Sequence, residues 1–239
     1  MKEYSIGIEI KNLLKMIKLT RQWKQNVVCG VLFLALGVLF ICIGGFNTFL
    51  GGLYFMISGG TIMSGLEQVF YSSYANTSPK HKFYCTVVYP LLYAFAFIAG
   101  YLIAALTIGI KILLLRQIKG SVAGDILSKM NMGVSSGTTL VFIGIMGMLF
   151  YIYSGISSKN YIAVSLIFIV VFLFIYLSMI FPPEDANDLQ IKMSFGSGFV
   201  IGFLILLLGI AIGVMFRNAL YKKPYSPMYK KAFLRLSKM

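Results

Sequence analysis

Residues 71–84, YSSYANTSPKHKFY, interrupt an otherwise apolar sequence with polar, aromatic and basic side chains. Residues 66–75 suit a helix, whereas Asn76 to Pro79 are typical of a turn. Proline also keeps the residue before it out of the helical conformation. The stretch therefore predicts a short helix, a sharp stop and a return into a second long helix near Cys85. It separates two apolar runs, and we expect it to form a compact polar segment that projects from the membrane between them.

The composition around this stretch is that of a membrane protein. Of the 239 residues, 59% are hydrophobic and only 12% are charged, and the mean hydropathy is +0.86. Soluble domains are about 45–50% apolar, and runs of about 20 apolar residues can cross a bilayer. We therefore predict an all-α integral membrane protein without a sizeable soluble domain.

The apolar runs predict six transmembrane helices. Their approximate bounds are 27–45, 49–65, 85–110, 138–153, 161–181 and 195–216. Ahead of them, residues 1–26 carry lysines at helical spacing on one face and apolar residues on another, with Trp23 beside the first span. This pattern favours an amphipathic helix in the membrane interface over an ordinary solvated helix. Residues 217–239 form a basic tail.

Six spans place both termini on one side of the membrane, and the distribution of Lys and Arg chooses that side. With the termini in the cytoplasm, residues 71–84 are cytoplasmic too. The Lys and Arg residues left outside are then Lys111, Arg116, Lys119, Lys129 and Lys192. The basic connection at 111–135 is the exception to the rule. It lies outside, lines a water-filled vestibule, or marks a broken third span.

The net charge of +14 raises nucleic-acid binding as an alternative. The basic residues, however, cluster at the ends of apolar runs, and no recognised nucleic-acid-binding module occurs. Topology and contacts with lipid headgroups explain them better. We therefore predict the lipid bilayer, and no nucleic acid, as the partner of these charges.

The polar residues offer no recognisable set for catalysis or metal binding. His81 is the only histidine, which excludes a two-histidine site, and the three cysteines lack C-x-x-C spacing. No G-x-x-x-x-G-K-[ST] motif occurs for ATP. None of the seven acidic residues lies mid-span, where carboxylates mark ion-coupled transport. We predict a protein that is not an enzyme and binds no metal or cofactor itself.

The order of features resembles the membrane subunit of bacterial ABC-2 type transporters, in which a basic amphipathic helix precedes six spans. The likeness at motif level covers residues 67–90. The residues at the family's proline turn and at the start of its next span are here Ser78, Pro79, Lys80, Lys82, Tyr84 and Tyr89. The family's acidic, lysine and tryptophan run before the turn is reduced to Glu67, Tyr71 and Tyr74. The basic connection after the third span is a second departure.

The resemblance implies that residues 66–84 form a cytoplasmic coupling helix that docks on a separate ATPase subunit. The residues implied in ATPase coupling are Glu67, Tyr71, Tyr74, Thr77, Ser78, Pro79, Lys80 and Lys82. It also implies two ATPase subunits per complex and a second permease chain, identical or different. ATP and magnesium would bind only to the ATPases, and the location would be the bacterial cytoplasmic membrane.

The implied function is ATP-driven export. We expect amphipathic or antimicrobial peptides, or hydrophobic drugs, as cargo, because the apolar, glycine-rich spans suit molecules that partition into the membrane. The candidate substrate-path residues are Phe46, Phe49, Tyr54 and Phe55, although lipid contact explains them equally well. Glycines at four-residue spacing in spans four and six predict close packing within the bundle, with a dimer surface as the alternative.

Two other functions stay open. A non-transporting immunity or regulatory protein would act by binding, and changes at Tyr74 or Pro79 would leave it intact. An ion-coupled secondary carrier would transport without nucleotide. The polar stretch itself could be a plain cytoplasmic loop, with Pro79 as turn punctuation and Lys80 and Lys82 as topology charges.

Overall fold

The computed structural model describes residues 6–19, 22–43, 47–71, 81–118, 136–157, 159–160, 162, 165–170 and 193–222, and these residues contain helices and no strand. We number the helices in chain order. They are α1 (Ile6–Leu19), α2 (Trp23–Ile43), α3 (Asn47–Tyr71), α4, α5 (Ser136–Ser157) and α6 (Phe195–Leu220). The fourth, α4, is continuous: α-helix His81–Phe83, π-helical turn Tyr84–Val88 and α-helix Tyr89–Ile118.

Four stretches are long and apolar enough to cross a bilayer: Trp23–Ile43, His81–Leu114, Ser136–Ser157 and Phe195–Leu220. The prediction of an all-helical membrane protein is thus confirmed. With 25 residues, α3 has the length to cross a hydrocarbon core of about 30 Å. Its Gly, Ser and Thr residues make it less apolar than α2, α4, α5 and α6. The predicted fifth span, 161–181, lies largely outside the described residues.

The helices extend beyond the predicted apolar runs. The run at 85–110 lies within a helix that starts at His81 and ends at Ile118. Hydrophobicity marks only the part of a helix that lies in hydrocarbon, whereas the backbone ladder continues into the headgroup region. Within the predicted interfacial segment 1–26, α1 covers Ile6–Leu19, and α2 already begins at Trp23.

Glycines bring α5 and α6 into backbone contact, and the two helices run in the same direction. The pairs along the contact are Gly137 with Gly198, Gly144 with Gly202, and Gly155 with Gly213. Small residues allow such close approach, and this is how helices pack where lipid removes the hydrophobic driving force. A second close pair is formed by α2 and α3, which are antiparallel and meet at Gly37 and Gly51.

Between the two pairs lies α4, antiparallel to α3, α5 and α6. Gly59 of α3 meets Ala96, and Phe55, farther from the end of α3, meets Gly100. The start of α2, the end of α3, the start of α4 and the ends of α5 and α6 therefore share one end of the bundle, which we call the basal end. The opposite end is the distal end.

The π-helical turn of α4 ends at Val88, two residues before Pro90. A proline ring clashes with the carbonyl four residues earlier and offers no backbone N–H to it. Here the backbone N–H of Tyr89 instead reaches the carbonyl of Tyr84, five residues back. The wider turn accommodates Pro90 without ending the helix.

At the distal end, the side chain of Lys111 caps the last turn of α2. Its Nζ donates a hydrogen bond to the carbonyl oxygen of Ile41 at 2.6 Å, two residues before α2 ends at Ile43. The last carbonyls of a helix have no partner within it and carry partial negative charge, so a cation there is favourable. Lys111 therefore caps the C-terminal end of α2.

Candidate functional site

The predicted ATPase-coupling stretch joins α3 to α4 at the basal end. Glu67 and Tyr71 lie in the last turns of α3, and Lys82 lies in the first turn of α4 with its side chain exposed. The remaining coupling residues and one substrate-path residue lie outside the described residues: Tyr74, Thr77, Ser78, Pro79, Lys80 and Phe46. Both flanking helices run from this end into the bundle, where Gly59 of α3 meets Ala96 of α4.

The first turns of α4 contact the end of α6. The His81 ring centroid lies 6.2 Å from that of Tyr221, and the Nε2 of His81 lies 3.5 Å from the Sγ of Cys85. Burial raises the pKa of Tyr221, and the Cys85 thiolate would raise it further. The Tyr221 hydroxyl therefore keeps its proton at neutral pH. This contact links the end of the coupling stretch to α6.

Arg217, in the last turn of α6, joins three helices at the basal end. Its guanidinium carbon lies 4.1 Å from the ring centroid of Tyr89 in α4, and its NH2 group donates to the carbonyl oxygen of Ser154 in α5 at 3.1 Å. A partly desolvated cation–π contact is worth about 0.5–2 kcal/mol, and a hydrogen bond from a charged group about 1.5–3 kcal/mol. Arg217 thus links the end of α6 to the start of α4 and the end of α5 and stabilises their packing.

A column of aromatic rings runs from this arginine into the bundle. Tyr89 stacks on Tyr93 with centroids 5.4 Å apart, and Tyr93 lies 5.2 Å from Phe97. Tyr151 of α5 packs edge-on against Phe97 at 5.9 Å. Its hydroxyl donates to the carbonyl oxygen of Pro90 at 2.9 Å. The column connects the basal end to the buried core through ring contacts and one buried hydrogen bond.

The described substrate-path residues pack helix against helix. Phe49 meets Phe142 of α5 edge-on at 4.8 Å, and Tyr54 stacks on Phe40 of α2 at 5.4 Å. Phe55 is fully buried, with its ring against Gly37 of α2. In this arrangement the three rings pack α3 against α2 and α5. A route for cargo along them would require these helices to separate.

Sequence reasoning missed Arg217, Ser154 and Tyr151 as parts of one cluster. The sequence places Arg217 at the start of the predicted basic tail 217–239, and its partner Ser154 is 63 positions away in the chain. One signal was present: Tyr89, Tyr93, Phe97 and Tyr101 recur every four residues and so share one face of α4. The last of these donates its hydroxyl to the carbonyl oxygen of Phe199 at 2.9 Å.

The cluster around Arg217 and Tyr151 holds helix ends in position against one another. Within the described ranges, no group of three His, Cys, Asp or Glu side chains is arranged to hold a metal ion. The polar contacts join helix ends to one another. No protein-family model, curated protein or solved structure matches this chain.

Proposed function

We propose that this chain is the non-catalytic membrane subunit of an ABC-2 type exporter, with six spans and both termini in the cytoplasm of a bacterial cell. The observation that carries the proposal is the position of the 72–80 connection. It joins two helix ends at the basal end, where α6 also ends, and its sequence carries the proline turn of the resembled family. A coupling helix of the resembled family requires both this position between two helices and this proline turn.

The directions of the helices support six crossings. Ser157 ends α5 at the basal end, whereas Phe195 starts α6 at the distal end. The segment between them contains the apolar run 161–181, which is long enough to return across the membrane. Counting α3 and this segment with the four apolar helices gives an even number of spans. The chain before α2 and the chain after α6 then lie on the same side.

The charges at the basal end support a cytoplasmic orientation. Lys24, Lys82 and Lys222 are exposed there, and the positive-inside rule assigns such an end to the cytoplasm. The connection at 119–135 joins the end of α4 to the start of α5 at the distal end, so it is external in this orientation. Fluorescence labelling of intact cells tests this, with Lys119→Cys reacting with an impermeant maleimide and Lys82→Cys reacting only after lysis.

In this proposal the partners supply the chemistry. Two ATPase subunits bind ATP and magnesium and dock on residues 66–84, while a second permease chain completes the pathway. Closure of the ATPases moves the α3–α4 connection, and the ties of α4 to α5 and α6 carry that movement through the bundle. The cargo is an amphipathic or antimicrobial peptide or a hydrophobic drug, which enters sideways from the membrane.

Co-purification tests the coupling role. The tagged full chain is isolated from its native host in mild detergent, and the proteins that accompany it are identified. We expect an ATPase with a Walker motif to accompany the normal chain and to be lost from the double variant Tyr74→Ala, Pro79→Ala. The matched control is Lys119→Ala, Lys129→Ala, which changes the opposite connection and should retain the ATPase.

Two results contradict the proposal. If no ATPase accompanies any of these chains, coupling to ATP loses its basis and the binding-protein alternative gains weight. If the ATPase accompanies both double variants equally, the 66–84 stretch is not its docking site. Transport of a labelled amphipathic peptide in vesicles, with and without ATP, then separates an exporter from an ion-coupled carrier.

A further inference from the structure

An open groove of about 420 Å³ lies at the basal end between the start of α4 and the end of α6. From α4 it is lined by Lys82, Thr86 and Val87. From α6 and the turn after it come Asn218, Ala219, Tyr221 and Lys222. Because residues four apart share a helix face, the groove joins one face of each helix.

The mouth of the groove is cationic. Lys82 and Lys222 stand on opposite sides with exposed side chains. Asn218 and the protonated Tyr221 hydroxyl add neutral donors. None of the described residues that line the groove is acidic. An anionic group with several acceptor oxygens complements this set of donors.

The membrane side of the groove is apolar. Val87 is 37% exposed, and on the same face of α4, two turns deeper, Phe95 is 61% exposed. On α6, Met215 is 71% exposed and lies one turn deeper than Ala219 of the groove. The cationic mouth of the groove and the exposed apolar side chains deeper along α4 and α6 together match an amphipathic ligand with an anionic head.

Arg217 does not compete for this ligand. Its guanidinium is directed at Tyr89 and Ser154 within the bundle, and it is not part of the groove lining. The two lysines have long flexible stems, which let the ammonium groups reach the headgroup level while the stems cover apolar surface. They are therefore suited to a phosphate at the membrane surface.

We propose that this groove binds the phosphate headgroup of an anionic phospholipid, whose acyl chains lie against the apolar faces of α4 and α6. Lys82 and Lys222 bind the phosphate, and Asn218 and Tyr221 donate to its oxygens or to the glycerol. The inference needs only the membrane character of the protein, so it stands independently of any ATPase. Lys82, which the resemblance implies in ATPase coupling, lines this groove as well and contributes its ammonium group to the lipid site.

Native mass spectrometry of the full chain in detergent tests the groove. Phosphatidylglycerol and phosphatidylcholine are titrated separately, and the bound lipid is counted. An attraction of about 1 kcal/mol per lysine corresponds to roughly fivefold in affinity, so Lys82→Gln with Lys222→Gln should weaken phosphatidylglycerol binding roughly 30-fold. The matched control, Lys11→Gln with Lys24→Gln, removes the same charge from exposed sites outside the groove and should keep the lipid.

A second variant, Ala219→Phe, fills the groove without changing charge and should also release the lipid. Retained lipid in either groove variant would overturn the proposal, as would equal loss in the control pair or equal binding of phosphatidylcholine. Inorganic phosphate is then added to the lipid-bound normal chain. Release of the lipid at millimolar phosphate would assign the groove to free phosphate and overturn the lipid assignment.

Discussion

Gly202 is the position where one added methyl group should disturb the bundle most clearly. An ideal Cβ there would lie 2.5 Å from the hydroxyl oxygen of Tyr101 and 2.9 Å from the carbonyl carbon of Leu140. Non-bonded atoms of this kind prefer about 3.5–4.0 Å. Gly202→Ala therefore pushes α6 away from α5 by about 1 Å and displaces Tyr101.

The cost follows from these two displacements. Overpacking a tight contact costs about 1–3 kcal/mol. Moving Tyr101 also weakens its 2.9 Å hydrogen bond to the carbonyl of Phe199, which adds about 0.5–1.5 kcal/mol. We expect Gly202→Ala to lower the free energy of unfolding by about 2–4 kcal/mol.

Gly196 in the same helix is the matched control, because an added Cβ there meets nothing within 4 Å. Gly196→Ala should be neutral, or stabilising by about 0.5–1 kcal/mol through the smaller entropy of the unfolded chain. The assay is unfolding of the full chain in detergent by added dodecyl sulfate, followed by circular dichroism. Equal unfolding free energies for the two alanine variants would refute the backbone contact between α5 and α6.

Two other side chains give sharp predictions in the same assay. Arg217→Met should lower the free energy of unfolding by about 2 kcal/mol through loss of the Tyr89 and Ser154 contacts. Arg217→Lys should be intermediate, because it keeps the charge but loses the planar fork. An Arg217→Met variant as stable as the normal chain would contradict a stabilising role for these contacts. Tyr151→Phe should cost about 1 kcal/mol, since the ring packing stays while the carbonyl of Pro90 loses its donor. A Tyr151→Phe variant as stable as the normal chain would mean that this bond contributes nothing net.

The membrane character and the approximate helix positions could be predicted from the sequence because they depend on local hydrophobicity. An apolar run of sufficient length predicts a helix in lipid, whatever its neighbours are. The extra turns of α4 before Cys85 were missed because His81 and Lys82 are polar and lie beyond the apolar run. The π-helical turn before Pro90 was also beyond reach, since Pro90 predicts a disturbance but not its form.

The partners of particular side chains were the less predictable part. The glycines of span six predicted close packing, but small residues accept any neighbouring backbone, so α5 could not be identified as the partner from them. The contacts of Arg217, a charged residue, could not be predicted from the sequence either. Its role depends on Ser154, separated from it by 63 positions, and on an aromatic face that belongs to another helix.

The parallel contact of α5 and α6 also has a consequence for biosynthesis. In a chain made from its N-terminus, α5 emerges long before α6, and the intervening segment must return from the basal to the distal end before α6 can insert. The glycine face of α5 therefore stays without its partner until α6 has been made. A ribosome that stops before Phe195 leaves that backbone uncovered, so the insertion of α6 is the step that completes this contact.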